Sequence, residues 1–521
     1  MRKTFARRAW AVLLGTAALM SLQACDLTTT AKPPQARLDM AAEVMPFPRP
    51  AVEPLTTLAD TPELPGVVNT ALDLRRAFFA RDFARLDTAL LKMHEDFLAG
   101  RINDTLPHLF ISGIESTQLA GVDACEEWLQ AMPQSFPARW VCGVMWESGA
   151  WAARSKEYTN KISTARFAIM HERLQRSNEL LEKALALHPK PLNALTTLAS
   201  NHLLVGDRQR AEEYLRRAEE IMPQYLGIHT IRLNYDLPEW GGSSEQVQAD
   251  LEHAKALGVK GDDLTYLEDT FIVRPTKLSD PRAPQAYWRK AISEHPTQAR
   301  LSGLLDNLVW VENWGEALPV ADRLIEDYPH VALAYYRRAV ILNNMGRIPE
   351  AVRDYRMAAA MGQDDALQEL LMANIRGGLG LQPKSFAAAL DLCRYGAPLG
   401  SRVGANCIGA SYQEAKSMGL AFPVDHGQSL AWHLVAARGG HFNSQHDLGW
   451  FLFTGRGDAL QGEEAKRLGT FWLRRAAEQD HHFAKRKLEE NNISLAEGLE
   501  DAMGGNSLRA YLEALLWILN K

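Results

Sequence analysis

The sequence nearly repeats itself, with a period of 40 residues, between residues 405 and 484. A glycine, a tryptophan and a pair of adjacent alanines recur at that spacing. They are Gly409, Trp432, Ala436 and Ala437 in one unit and Gly449, Trp472, Ala476 and Ala477 in the next. A period of roughly 20 to 50 residues is typical of stacked supersecondary units, each of which buries its apolar face only against its neighbours. The pattern therefore predicts an all-α fold, an α-solenoid of helix-turn-helix repeats.

Length and composition agree with such an array. The chain has 521 residues, which is more than one compact core usually contains. Hydrophobic residues make up 46% and charged residues 23%, so we expect most of the chain to fold. The formal net charge is −6, and no long basic run is present. Because nucleic-acid binding depends on neutralising phosphates with Lys and Arg, we expect no nucleic acid among the partners.

Residues 1–24 have the features of a secretory signal peptide. Basic residues precede an apolar run from Ala9 to Met20 that is too short to span a bilayer. The run leads to Leu22-Gln23-Ala24-Cys25, which resembles the lipobox of bacterial lipoproteins. The resemblance implies that the leader is removed, that Cys25 is acylated, as with palmitate, and that the chain is lipid-anchored on the periplasmic side of a membrane. An ordinary secreted protein, cleaved before a chance cysteine, is the alternative.

The residues after Cys25 indicate which membrane holds the protein and how far the folded part lies from it. Asp26 resembles the signal that retains lipoproteins in the inner membrane of enteric-type bacteria, so the inner membrane is favoured over the outer. Residues 25–66 form a proline-rich segment, with eight prolines between Asp26 and Pro65. Such a stretch neither holds a helix nor buries enough apolar surface to fold. It predicts a disordered tether that could reach on the order of 100 Å from the membrane.

Residues 67–157 are predicted to form an aromatic-rich helical domain. Its large aromatic residues are Trp128, Phe136, Trp140, Trp146 and Trp151. The phrases Gly149-Ala150-Trp151-Ala152-Ala153-Arg154 and Pro238-Glu239-Trp240-Gly241-Gly242-Ser243, with the helix that runs to His188, resemble a bacterial domain family of unknown function. The resemblance covers about residues 70 to 260 and implies no activity. We expect the aromatic residues to form a packed core, with a ligand-binding cleft as the alternative.

Tetratricopeptide-like spacing marks residues 158–280 and 281–365. Ala184 and Pro189 are followed 34 residues later by Ala218 and Pro223. Ala317 is likewise followed by Ala351 at an offset of 34. Small residues are needed where the two helices of a hairpin approach closely, and proline ends a helix. Residues 239–280 are expected to be irregular or to form a degenerate unit.

Residues 366–490 resemble Sel1-like repeats, longer relatives of the tetratricopeptide unit. The residues that carry the resemblance are Leu448-Gly449, Ala431-Trp432, Trp472-Leu473 and the two alanine pairs. Residues 491–521 close the chain with an apolar helical pattern around Trp517. Because an array needs its last apolar face covered, this helix is expected to be a cap. A helix that meets a membrane or a partner is the alternative.

Besides Cys25 the chain has four cysteines, Cys125, Cys142, Cys393 and Cys407, which allow three pairings. Pairs of Cys125 with Cys142 and of Cys393 with Cys407 are favoured, because each pair is close in sequence and would lie on adjacent antiparallel helices. Loops of about 15 residues give roughly 3 kcal/mol of stabilisation each in the entropic account. Buried free thiols are the alternative.

The sequence contains no recognised catalytic motif, such as a nucleophile elbow, a phosphate loop or paired Cys-x-x-Cys ligands. Histidines concentrate only at His441, His446, His481 and His482. The spacing of five between His441 and His446 is poor for two metal ligands on one helical face. We expect a protein that is not an enzyme, with no cofactor and no metal site.

The resemblance to tetratricopeptide arrays implies that the first helix of each unit lines a groove for a partner. The residues at those positions are Asn193, Thr196, Ser200 and Leu204, then Asp306 and Trp310, then Tyr336, Asn343 and Asn344. An aromatic ring beside two amides can stack on a peptide and hydrogen-bond to its backbone. Solvated polar positions without a role are the alternative.

The sequence therefore favours a membrane-anchored periplasmic scaffold or adaptor that holds another cell-envelope protein or peptide. An immunity protein, which inhibits a toxin delivered into the periplasm, would use the same fold. A cell-envelope hydrolase with a sugar-binding cleft in the aromatic-rich region is a third hypothesis, and it needs converging carboxylates with shifted pKa values.

Overall fold

The computed structural model describes residues 49–51, 53, 56, 58, 63–154, 162, 164–273, 283–380, 385–455 and 462–493. Within these ranges the chain forms 23 α-helices and no β-strand, so the predicted all-α repeat fold is confirmed. The predicted signal peptide, Cys25, Asp26 and the helix around Trp517 lie outside the described residues.

The α-helices follow one another with short connections. They are α1 (Gly66–Phe79), α2 (Phe83–Leu98), α3 (Thr105–Glu115), α4 (Val122–Ala131), α5 (Phe136–Arg154), α6 (Thr164–Leu185), α7 (Leu192–Leu204), α8 (Arg208–Ile221), α9 (Leu226–Tyr235), α10 (Ser244–Ala256), α11 (Gly261–Glu268), α12 (Ala283–Glu294), α13 (Gln298–Trp310), α14 (Trp314–Asp327), α15 (Ala332–Asn344), α16 (Ile348–Ala360), α17 (Asp364–Arg376), α18 (Phe386–Gly396), α19 (Arg402–Glu414), α20 (His426–Arg438), α21 (Phe442–Phe453), α22 (Glu463–Glu478) and α23 (His482–Glu490). Short 3₁₀ helices lie at Pro238–Trp240 and Ala397–Leu399, and a π-helical turn at Asp269–Val273.

The same position caps the first helix of three successive units. Ser401, His441 and His481 precede α19, α21 and α23 and are spaced 40 residues apart. Each side chain accepts a hydrogen bond from the backbone N–H three residues further on. These bonds satisfy one of the free N–H groups at each helix start. The period thus extends to the helix boundaries as well as to the packed residues.

The recurring glycines allow close helix packing. A Cβ atom at Gly449 of α21 would lie 2.8 Å from the backbone nitrogen of Leu473 and 2.9 Å from the carbonyl oxygen of Gly469, both on α22. Gly409 holds the same place in the preceding unit, where a Cβ would lie 3.0 Å from the ring of His433. Trp432, Trp472 and the four recurring alanines are all buried. The period therefore marks the surfaces on which the hairpins stack.

The chain divides into two compact units. As far as the described residues go, the first unit comprises Ala150–Gln175 and Lys190–Thr276. The second comprises the described residues within the ranges Arg37–Gly149, Arg176–Pro189 and Lys277–Lys521. In this division, residues before Ala150 fall into the same unit as residues 366–490, whereas consecutive domains were predicted from the sequence.

The first unit has its own core beyond α9. Leu233, Leu251, Leu267 and Phe271 form part of a buried apolar cluster. Residues expected to be irregular or degenerate thus contribute two regular helices, α10 and α11. The start of α10 is fixed by Ser243, whose hydroxyl accepts from the backbone N–H of Gln246.

Within the second unit, the N-terminal helices pack on the turns between repeat hairpins. Arg75 of α1 is buried and donates from Nη2 to the carbonyl oxygen of Leu399 at 2.5 Å. A Cβ on Gly400 would lie 2.3 Å from the ring of Phe79, so only glycine fits at that turn. Leu119 donates its backbone N–H to the carbonyl oxygen of Arg438. These contacts join residues more than 300 positions apart, and the sequence analysis did not predict them.

The aromatic residues of α4 and α5 are mostly core. Trp128, Phe136, Trp140 and Trp146 are buried, whereas Trp151 is half-buried. Phe83 stacks on Trp128 with ring centroids 5.8 Å apart. The burial agrees with the packed core expected from the sequence and leaves no open aromatic cleft built from these four side chains.

The described end of the proline-rich segment is not a free tether. Glu53 is buried, and its carboxylate binds Arg394 and Tyr412 of the repeats. The prediction that residues 25–66 form a disordered tether is therefore wrong at this point, because a buried carboxylate with two partners holds the chain in place.

Candidate interaction surfaces

The predicted groove positions on α7, in the first unit, are only partly accessible. Thr196 is buried, and its hydroxyl donates to the carbonyl oxygen of Asn193. The carbonyl oxygen of Ser200 accepts from the hydroxyl of Tyr235 at 3.4 Å. Asn193, Ser200 and Leu204 are half-buried. These side chains serve the packing of the unit more than they present a surface.

The predicted groove positions on α13, in the second unit, differ from each other. Asp306 accepts a hydrogen bond at 2.8 Å from Nε of Arg337, a buried residue of α15. The pair connects the first helices of two consecutive hairpins. Trp310, the last residue of α13, is 50% exposed. An exposed tryptophan at a helix end is unusual for a soluble surface, because it offers a large apolar area.

Tyr336 is the predicted groove residue that the structure places elsewhere. Only 5% of it is exposed, and its ring centroid lies 6.0 Å from that of Tyr355. Burial raises the pKa of its hydroxyl. The predicted aromatic ring beside the two amides is therefore wrong for Tyr336, since its helix face points toward α16.

The other two residues of that group are exposed at the end of α15. Asn343 and Asn344 are both exposed, although Asn344 Nδ2 donates to the carbonyl oxygen of Val340. Met345 follows them and is 42% exposed. Sequence reasoning missed Met345, although it lies 35 residues after Trp310 at the equivalent hairpin end.

Trp310, Asn343, Asn344 and Met345 together form what we call the tryptophan surface. Because α13 and α15 are neighbouring first helices of successive hairpins, they run parallel and end at the same edge of the array. Exposed apolar side chains and exposed amide side chains thus lie along that edge. The combination can bury an apolar side chain of a partner and hydrogen-bond to its backbone.

A second exposed aromatic group lies at the last repeats. The rings of His446 and His481 stack at 4.5 Å, with Phe442 5.7 Å from His481 and Phe483 6.4 Å from His446. Phe442 and Phe483 are exposed. The histidine concentration was recognised in the sequence, but the two phenylalanines were not. Their signal is the dipeptide His-Phe, which occurs at His441-Phe442 and again at His482-Phe483.

His441 and His481 stay uncharged at neutral pH. Burial lowers the pKa of His441 to about 3 and that of His481 to about 4. His481 Nε2 lies 3.1 Å from Oδ1 of Asn443, while its Nδ1 caps α23. Across the described ranges, no group of three or more His, Cys, Asp or Glu side chains is arranged to hold a metal ion. The imidazoles act as caps and packing surfaces.

Two disulfides are present in the second unit. Cys125 of α4 bonds to Cys142 of α5, with Cα atoms 5.6 Å apart. Cys393 of α18 bonds to Cys407 of α19, with Cα atoms 5.9 Å apart. Each bond joins two consecutive helices, the arrangement favoured from the sequence.

Comparison with known proteins gives a partial match. The family described as "Domain of unknown function (DUF4034)" matches residues 71–210. That range lies within the stretch for which the sequence resembles a family of unknown function, and it ends earlier. No curated protein matches the chain.

Several solved structures are similar in part. One is a protective antigen of uropathogenic Escherichia coli strains with an SLR fold, at 17% identity over 71% of this chain and 74% of that chain, with a TM-score of 0.34. Another is a Sel1 repeat protein from Oxalobacter formigenes, at 17% identity over 70% of this chain and 90% of that chain, with a TM-score of 0.30. The Cut9–Hcn1 hetero-tetramer of the APC/C gives 13% identity, coverage of 86% and 89%, and a TM-score of 0.31. At such low TM-scores the fold rests on the helices of this chain itself.

Proposed function

We propose that this chain is a membrane-anchored periplasmic scaffold that holds another cell-envelope protein through its tryptophan surface. The observation that carries the proposal is the pair of exposed apolar residues, Trp310 and Met345, at the ends of neighbouring first helices. Stacked helical hairpins present extended surfaces of this kind to protein partners. Tryptophan is enriched among the residues that dominate binding energy, because one ring buries a large area at low entropic cost.

The location rests on the N-terminal sequence. Leu22-Gln23-Ala24-Cys25 would direct lipid attachment to Cys25, and Asp26 would retain the protein in the inner membrane. More than one acyl chain gives stable anchoring, where one chain alone is marginal. The two disulfides support an oxidising compartment such as the periplasm. No helix in the described part of the chain is long and apolar enough to cross a membrane.

Removing the lipid-attachment site tests the proposed location without changing the binding surface. Replacing Cys25 with serine removes the acylation site, so the chain should move from the membrane fraction to the soluble periplasmic fraction. Asp26→Ser should transfer the anchored chain from the inner to the outer membrane. A Cys25→Ser chain that stays in the membrane fraction after a high-salt wash would contradict lipid anchoring.

The structure bears differently on the two alternative functions. An immunity protein would use the same exposed edge to bind a toxin. A toxin challenge distinguishes the two functions, because an immunity protein protects the cell and a scaffold does not. The hydrolase hypothesis depended on an aromatic cleft, and Trp128, Trp140 and Trp146 are instead buried.

Affinity capture from the native envelope tests the binding surface. A chain with Trp310→Ala and Met345→Ala should lose its partner at least tenfold, a loss that corresponds to about 1.4 kcal/mol. Val424 is also 42% exposed but lies between α19 and α20, so Val424→Ala is a matched control that should retain the partner. Equal capture by both variants would contradict the proposed surface.

A further inference from the structure

A buried glutamate near the start of the described chain lies in a site built by the repeats. Glu53 is 7% exposed. Its Oε2 accepts a hydrogen bond from Nε of Arg394 at 2.9 Å, and its Oε1 accepts one from the hydroxyl of Tyr412 at 2.8 Å. Arg394 belongs to α18 and Tyr412 to α19. A carboxylate removed from water to this extent is stable only when charged or polar partners replace its hydration.

The same site contacts the backbone of the segment. Gln428 of α20 accepts a hydrogen bond at 2.6 Å from the N–H of Ala51, and it donates from Nε2 to the carbonyl oxygen of Arg49 at 3.3 Å. In an extended chain, the carbonyl of one residue and the N–H two residues later point to the same side. One side-chain amide can therefore bind both groups, independently of the side chains of the segment.

A third contact lies further along the segment. The hydroxyl of Thr56 donates to the carbonyl oxygen of Asp391 at 2.8 Å. Three successive helices, α18, α19 and α20, thus each supply a partner. A pocket for one charged side chain, combined with hydrogen bonds to an extended backbone, is how peptide-binding surfaces obtain specificity and affinity.

We propose that Arg394, Tyr412 and Gln428 form a binding site for an extended peptide that carries a glutamate, and that the chain's own Glu53 occupies this site in cis. The required ligand has a glutamate two residues after the N–H that pairs with Gln428. The site uses none of the residues of the tryptophan surface, so this proposal can be tested independently of the scaffold proposal. Glu53 therefore competes with any partner that binds here.

The intramolecular position of Glu53 makes the competition strong. A covalently linked segment acts at an effective concentration of about millimolar, so a free peptide of equal intrinsic affinity binds the native chain weakly. Releasing the segment should expose the site. Glu53→Lys places an ammonium group beside the guanidinium of Arg394 and should release the segment by charge repulsion.

The test uses the full chain and a fluorescein-labelled synthetic peptide with the sequence of residues 47–58. The peptide should bind the Glu53→Lys chain at least tenfold more tightly than the native chain, as measured by fluorescence anisotropy. Glu63 is exposed in the same part of the sequence, so Glu63→Lys is a matched control for the charge change and should bind as weakly as the native chain. A peptide with glutamine in place of the glutamate should bind about tenfold more weakly, because it loses a charge-assisted hydrogen bond.

We call a variant open when its cis segment is released from the site, as expected for Glu53→Lys. A second open variant is needed in case Glu53→Lys does not fold. Glu53→Ala removes the carboxylate that binds Arg394 and Tyr412, so it weakens the cis segment without adding a repulsive charge and leaves all three residues of the site intact for a peptide. It should also raise peptide binding above that of the native chain. Adding Arg394→Met to either open variant should abolish the gain. Folded open variants, as judged by circular dichroism, that bind the peptide no better than the native chain would overturn the proposal.

Discussion

Arg438 donates from Nη1 to Oδ2 of Asp123 at 2.8 Å, although the two residues lie 315 positions apart in the sequence. Arg438 ends α20, and Asp123 lies in the first turn of α4. The bond fixes the N-terminal helices to a turn between repeat hairpins, next to the backbone hydrogen bond from Leu119 to Arg438. The bond therefore joins the N-terminal helices of the second unit to its repeat hairpins.

Removing Asp123 tests this closure. The side chain of Arg438 is 2% exposed, so Asp123→Asn leaves a buried charge with a weaker partner. We expect the free energy of unfolding to fall by about 1 kcal/mol, since half of Asp123 is exposed and water screens the pair. Asp73→Asn breaks an exposed pair with Arg76 and should change stability by less than about 0.5 kcal/mol in the same urea titration. Equal effects would show that the contact does not hold the unit together.

The close approach of α21 and α22 predicts a strong effect at one glycine. Gly449→Ala places a methyl group within 2.8 Å of the backbone of Leu473, so the helices must separate. We expect a loss of about 2 kcal/mol in the free energy of unfolding. Gly315 lies at the start of α14, and a Cβ there meets nothing within 4 Å. Gly315→Ala should therefore leave the thermal midpoint unchanged or raise it, and a similar loss for both would contradict the packing.

The buried histidine caps predict a loss of stability in acid. The pKa of His441 in the folded chain is lowered to about 3, below the ordinary value of an unfolded histidine. Between about pH 6 and 4 the unfolded chain therefore binds a proton that the folded chain does not, which lowers stability by about 1 kcal/mol per pH unit. Ser401 caps the preceding unit, so His441→Ser keeps a cap and should flatten this pH dependence. Identical pH profiles for native and variant chains would exclude His441 as the cause.

A carboxyl group in the first unit predicts the opposite pH dependence. Burial, followed by a hydrogen bond to Asp236, raises the pKa of Asp250 well above its ordinary value. The folded chain keeps a proton that the unfolded chain releases, so stability falls as pH rises above about 4. Asp250→Asn retains a hydrogen-bond donor toward Asp236 without the charge. It should raise the thermal midpoint at pH 7 by about 2 °C or more, with little effect at pH 4. A lowered midpoint at pH 7 would contradict the assignment.

The periodic part of the fold could be predicted from the sequence, because local stacking repeats the same small and large residues. Trp472 and its alanines mark a surface that meets the next hairpin at a fixed distance along the chain. The contacts of Arg75 and Glu53 could not be predicted, since each occurs once and joins residues more than 300 positions apart. Neither the repeat period nor local helix propensity predicts such a pair.

The interaction surface was predicted only in part, for a related reason. Trp310 and Asn343 were placed on the correct helices, but Tyr336 was assigned to the wrong face of α15. Helical spacing resolves a face to about one residue in four. Tyr336 and its neighbour Arg337 are both buried, so the buried face of α15 is wider than the repeat spacing indicates. Phe442 and Phe483 were overlooked because their dipeptide with histidine does not follow the repeat period.

Site-specific photo-crosslinking in the native envelope tests the scaffold function most directly. A benzoylphenylalanine at Asn343, at the same edge of the array as Trp310, should give one dominant cross-linked protein, and Trp310→Ala should remove it. The same cross-linker at Glu463, whose side chain is 90% exposed at the start of α22, should not capture that protein. A cross-link pattern at Asn343 that matches the Glu463 control, or that persists after Trp310→Ala, would contradict the scaffold account.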